Sequence, residues 1–184
     1  MDVNKNSIVD IPQPAIFRFL FSDKRVSWLW FVIRIYVGWQ WLVAGWEKVI
    51  NPVWVGDKAG AAITGFLNGA LAKTAGAHPS VAGWYADFIK AVALPNAEVF
   101  SYLVSFGELF VGIALILGAF TGLAAFFGAF MNFNYLFAGT VSTNPTLLFF
   151  QIFIILAWKT AGWYGLDRYI LPLADKQSRQ KKKT

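Results

Sequence analysis

Glu108 is the one formally charged side chain in the sixty residues from Val99 to Trp158. A carboxylate in so apolar a run is either neutral or paired with a cation from another helix. Arg34 and Lys48 lie in the preceding apolar stretch and can supply that cation. Arg34, Gly38, Trp41, Gly45 and Lys48 advance by four, three, four and three residues, so they share one helical face. Glu47 points away from it. Ser101, Ser105, Glu108 and Gly112 make an equivalent small and polar stripe. A rise of about 1.5 Å per residue, counted from inner ends near Ser27 and Ala119, puts Arg34 and Glu108 about 6 Å apart in depth. The expectation is a buried Arg34–Glu108 pair whose carboxylate can change protonation, with Lys48 at the outer mouth attracting an anion.

Two further stripes carry amides. Asn132 falls in line with Ala125, Ala129 and Gly139, and Gln151 with Ile155, Trp158 and Gly162. Amides inside a membrane serve either as interhelical hydrogen-bonding groups or as ligand contacts. Trp41 is either a packing residue or part of an aromatic wall. Glu108, Arg34 and Lys48 are thus the candidate catalytic residues, and Trp41, Ser105, Asn132 and Gln151 the candidate ligand contacts. His78 sits beside Pro79 in a turn, and Trp28, Trp30, Trp158 and Trp163 read as interface anchors.

These stripes need helices that cross a membrane. No water-soluble domain leaves so long a run without charged outer faces. The chain has 184 residues, 57% hydrophobic and only 14% charged, which fits one small membrane domain. The fold class expected is all-α integral membrane: a four-transmembrane-helix bundle with an outer loop carrying short interfacial helices. Spans are expected at about 26–49, 97–117, 121–137 and 145–162. They are bounded by Asn51-Pro52, by Glu98 in a first turn, by the Gly118–Thr121 turn and by Pro145 at a helix start. The outer segment, 51–96, carries two apolar stripes, Ile63, Phe66, Leu67, Ala70 and Val81, Trp84, Tyr85, Phe88, Ile89, Val92. Short helices lying on the outer surface or capping the bundle fit both.

Of the 16 Lys and Arg, eleven fall in residues 1–25 and 159–184. The positive-inside rule then makes both termini cytoplasmic, with a basic tail at 168–184. That placement suits a lipid bilayer and argues against nucleic acid, despite a pI near 9.6. Residues 1–25 are polar, hold two prolines and read as no cleaved leader. With no cysteine and one histidine, this chain alone offers no thiol chemistry, iron–sulfur cluster, bis-His haem or metal site. Any electron carrier is a diffusible small molecule or belongs to a partner.

Arg34 with Ala44-Gly45-Trp46-Glu47-Lys48, then Glu108, Gly112 and Gly118, then Ala161-Gly162-Trp163-Tyr164-Gly165-Leu166-Asp167 resemble the DoxX/DoxD family in order and spacing. The likeness runs from about Ser27 to Asp167 and is greatest to the large membrane subunit of thiosulfate:quinone oxidoreductase. It implies a four-helix membrane fold in a bacterial or archaeal cell membrane, a quinone as diffusible electron acceptor, and Arg34, Lys48 and Glu108 as site residues. It also implies a small second subunit, which this chain does not contain.

Three functions follow as expectations. One is a quinone-linked oxidoreductase subunit drawing electrons from a small sulfur anion such as thiosulfate. Another is a non-catalytic anchor that assembles soluble redox enzymes at the cytoplasmic face; further copies of the chain are a separate partner expectation. A small-molecule transporter is the third; the lack of an inverted repeat and of broken helices speaks against it.

Overall fold

A computed structural model describes residues 13–173. The basic tail beyond 173 and residues 1–12 of the segment read as lacking a leader lie outside the described residues. No strand occurs among the described residues, and two helices are long and apolar enough to cross a membrane, Lys24–Val49 and Ala97–Leu117. The chain is an all-helical protein of membrane character. The outward side chains agree: Leu103, Phe110, Leu117, Leu123, Phe126, Phe127 and Phe130 are each more than half exposed. An apolar face of that extent needs lipid or a partner against it.

The chain opens with α1 (Ala15–Ser22), a short amphipathic helix with no buried residue. Asp23 then accepts from the Arg25 backbone N–H at 2.9 Å and pairs with its guanidinium at 2.6 Å, turning the chain into α2 (Ser27–Val49). Those hydrogen bonds from Arg25 hold the Asp23 carboxyl below the usual carboxylate range. After α2 come α3 (Ala61–Leu71) and α4 (Gly83–Phe88), the helices of the segment expected outside, the latter continued by a π-turn over Ile89–Ala93. Next are α5 (Ala97–Leu117), α6 (Thr121–Phe137) and α7 (Asn144–Leu156). A break at Ala157 separates α7 from the single turn α8 (Trp158–Ala161). The apolar run from 145 to 162 is therefore not one continuous helix.

Helix α2 packs on α5, α5 on α6, α6 on α7 and α7 back on α2, closing a ring around a core of Val37, Trp41, Val111, Leu115, Ala125 and Ile154. The closest contact in the ring is α2 on α5. A Cβ added to Gly45 would collide with the backbone of Leu109, and one added to Gly112 with that of Leu42. Glycine is needed at both positions because the two backbones touch there.

The outer segment caps this ring instead of lying apart from it. Ile63, Leu67 and Ala70 of α3 and Val81, Tyr85 and Ile89 form a second apolar core with Ala138, against Phe100 and Val104 of α5. The Tyr85 phenol donates to the Asn134 carbonyl of α6 at 3.0 Å. Burial pushes that phenol up to about 12, so it remains a donor across the neutral range. Trp84 and Val92 of the expected stripe face outward.

Candidate functional site

Glu108 is buried on the inner face of α5, and its cation is Lys48. The Lys48 Nζ lies 2.6 Å from Glu108 Oε2 and also donates to the Ala44 carbonyl at 3.3 Å. The Tyr135 hydroxyl, from α6, donates to Glu108 Oε1 at 2.5 Å. Both carboxylate oxygens are therefore satisfied by donors from two other helices, which is what makes a buried carboxylate tolerable. Around them lies a cavity of about 320 Å³ lined by Trp41, Ala44, Trp54, Phe66 and the Thr140–Asn144 turn. That is the size of a small-ligand pocket, which spans about 300–1,000 Å³. Lys48 sits at its wall beside the Trp54 ring, 5.3 Å from the ring centre.

The floor of the cavity is a polar ladder between helices. Trp41 of α2 stacks on Tyr135, ring centres 6.5 Å apart. With the Gln151 amide assigned from its hydrogen bonds, its oxygen accepts from Trp41 Nε1 at 2.8 Å and its nitrogen donates to the Leu147 carbonyl. The Gln151 and Asn132 amides meet at 2.5 Å. Both amides are fully buried and do not line the cavity; Gln151 bonds Trp41 and Leu147, which do.

Arg34 does not meet Glu108. The pairing Gly45 with Leu109, Leu42 with Gly112 and Gly38 with Ile116 runs α2 antiparallel to α5 and brings Arg34 level with Gly118. Ten residues of α5, about 15 Å at the helical rise, separate that level from Glu108. Counting depth from the two inner helix ends misleads because α2 begins well below the α5–α6 turn. Arg34 serves that turn instead. Its guanidinium donates to the Leu115 carbonyl, to that of Ile116 at 3.1 Å and to that of Tyr164 at 3.0 Å. Cations at a helix C-terminus satisfy free carbonyls and oppose the helix dipole.

Asp167 completes this latch on the α5–α6 turn from the other side. Its carboxylate accepts from the backbone N–H groups of Phe120, at 2.6 Å, and Thr121, at 2.8 Å, at the start of α6. Residues 164–167 thus clamp the α5–α6 turn at both of its helix ends. Ser105 is also absent from the cavity: it is buried and donates to the Ser101 carbonyl at 2.8 Å.

Of the residues singled out by spacing, Lys48, Glu108 and Trp41 line the cavity, Asn132 and Gln151 lie under it, and Arg34 and Ser105 stand outside. Tyr135 escapes a reading by charge and amides. The available signal is its place three residues after Asn132, on the same face of α6.

The match to a known family covers residues 29–184, and its description reads "TQO small subunit DoxD". The chain belongs to the DoxD family. No curated protein and no solved structure matches it. The DoxD description names a small subunit, where the resemblance of the sequence implied the large one; what is shown is the family. Membership makes this a membrane subunit related to thiosulfate:quinone oxidoreductase, and the DoxD match spans every helix of the ring and both the cavity and the latch.

Proposed function

We propose that the chain is the membrane part of a quinone-linked oxidoreductase that oxidises a small reduced sulfur anion, thiosulfate being the substrate its family name suggests. The observation that carries this reading is the Lys48–Glu108–Tyr135 cluster at the wall of the 320 Å³ cavity. Lys48 supplies an anion with a counter-charge once Glu108 takes up a proton. Glu108 and the Tyr135 hydroxyl are groups able to hold and pass a proton. Two thiosulfate ions would join through a new sulfur–sulfur bond and give up two electrons. The quinone would accept those two electrons with two protons and leave as the quinol. Trp41, Asn132 and Gln151 would position the cavity floor, and a bound quinone supplies the electron-accepting chemistry that this chain's side chains lack.

The test is thiosulfate-dependent reduction of a short-tailed quinone by the protein purified from native membranes with whatever polypeptides accompany it. Reduction is expected, and its absence from both the chain alone and its complexes would sink the reading. The subunit wording of the family description favours a second possibility, a non-catalytic anchor for partner redox enzymes. In that case a stoichiometric partner carries all the activity when separated from this chain. The same purification decides whether the chain takes the large or the small place in the assembly, and whether further copies accompany it.

The reading includes a topology. All four helices of the ring, α2, α5, α6 and α7 with α8, would cross the membrane of a bacterial or archaeal cell, with both termini cytoplasmic and the outer helices outside. Single cysteines in place of Ser22 and Ser80, both exposed, should then differ. An impermeant thiol reagent should label Ser80→Cys on intact cells and reach Ser22→Cys only after lysis. The opposite pattern would invert the arrangement.

A further inference from the structure

We propose that the quinone ring binds in a separate cleft on the lipid side of α5 and α6, divided from the polar cavity by Tyr135; this rests on the quinone-linked reading above. The cleft has a volume of about 470 Å³ and a wall that is apolar over nearly its whole area. Gly107 and Phe110 of α5 form one side, Phe127 and Met131 of α6 the other, and Leu67 and Phe88 of the outer helices the roof. Space exists there because Gly107 has no side chain: a Cβ added to it would meet only the flexible end of Met131, at 3.3 Å. Phe110, Phe127 and Phe130 at its rim are more than half exposed on the face that reads as lipid-facing, so the mouth opens sideways.

The chemistry of the wall selects the occupant. No charged residue lines the cleft, which excludes a small hydrophilic anion. Its polar side chains besides Tyr135, whose hydroxyl is turned to Glu108, are Tyr85 and Asn134, which meet where the Tyr85 hydroxyl donates to Asn134. A flat, largely apolar quinone ring with a hydrocarbon tail fits such a lining, one of its two opposed carbonyl oxygens facing these groups and the tail left in the bilayer. The other cavity, though also walled mainly by apolar groups, differs in having Lys48 and Glu108 at its wall.

Ile63, Phe66, Val104 and Tyr135 line both spaces. Tyr135 is the one among them with a polar group. Its hydroxyl holds Glu108 on the cavity side, and its ring is wedged between Trp41 and Phe66, which meets it edge-on at 6.1 Å. The arrangement keeps a water-soluble substrate and a lipid-soluble one on opposite sides of Tyr135, with Ile63, Phe66 and Val104 completing the partition.

Two measurements on the full-length protein in nanodiscs test this. In the first, an azido-substituted short-tailed quinone is photolysed on the protein and the labelled peptides are identified. Label is expected within 103–110 and 127–135. Label on α2 around Trp41 and Lys48 instead would overturn the cleft while leaving the quinone-linked reading intact. No saturable label anywhere would overturn both. In the second, affinity for decylbenzoquinone is measured for Gly107→Leu, which fills the cleft, and for Phe126→Leu on the outward face as control. A loss of about tenfold or more is expected for Gly107→Leu and none for Phe126→Leu. Equal affinity in a folded Gly107→Leu protein would contradict the proposal, and if that variant does not fold, the labelled peptides decide alone.

Discussion

Replacing Lys48 with alanine is expected to destabilise the protein by about 3–5 kcal/mol, because it leaves the Glu108 carboxylate buried without its cation. The partner-swap comparison makes this specific. A Lys48→Met/Glu108→Leu double variant should recover most of the loss, since removing both charges together also removes the cost of burying them. Arg34→Met combined with Glu108→Leu should show no such recovery, because Arg34 bonds backbone carbonyls at the α5–α6 turn. Folded yield in detergent and the midpoint of thermal unfolding measure both. Rescue of Glu108→Leu by Arg34→Met, with none by Lys48→Met, would restore the Arg34–Glu108 pair and move the site inward.

Gly45→Leu should be at least as damaging. Its side chain would have to occupy the space of the Leu109 backbone, so α2 and α5 must separate along their whole contact. Backbone has no rotamer to change, and overpacking that flexible side chains absorb for about 1–3 kcal/mol becomes larger here. Gly69→Leu is the control: nothing lies within 4 Å of a Cβ there. The expectation is a Gly45→Leu protein that fails to elute as a folded species and a Gly69→Leu protein that elutes normally. Normal elution of Gly45→Leu would mean that the helices are not in this contact.

The comparison of sequence with structure divides by the range of the interaction. Stripe periodicity is local: it puts Gly45 and Gly112 on small and polar helix faces and marks Glu108 as a group that needs a cation. Which cation depends on the relative height of two helices, and no local pattern carries that. Arg34 and Lys48 lie on the same face of α2, fourteen residues apart; only the α2–α5 register decides between them. Tyr135 was hidden for a related reason. Among the aromatic residues of α6, Phe126, Phe127, Phe130, Phe133 and Phe137 are exposed, and nothing in its type separates a cavity tyrosine from such a set. The family likeness placed Arg34 among site residues, whereas its bonds are those of a latch on the inner turn. The Thr140–Asn144 turn enters the cavity through chain reversal alone, which hydrophobic periodicity does not encode.

The central claim is that the Lys48–Glu108–Tyr135 cluster carries the chemistry, and Glu108→Gln addresses it most directly. The glutamine amide keeps the size and polar contacts of the carboxylate but holds no exchangeable proton of comparable acidity and no charge for Lys48. The measurement is the rate of thiosulfate-dependent quinone reduction per folded molecule, in membranes holding matched amounts of the two proteins. Loss of a proton-transferring group costs about a hundredfold or more in rate, and a drop of at least that size is expected per folded molecule, whatever stability the unpaired Lys48 costs. An unchanged rate in folded Glu108→Gln protein would contradict the account, because the one carboxylate in the cavity wall would then have no part in the reaction.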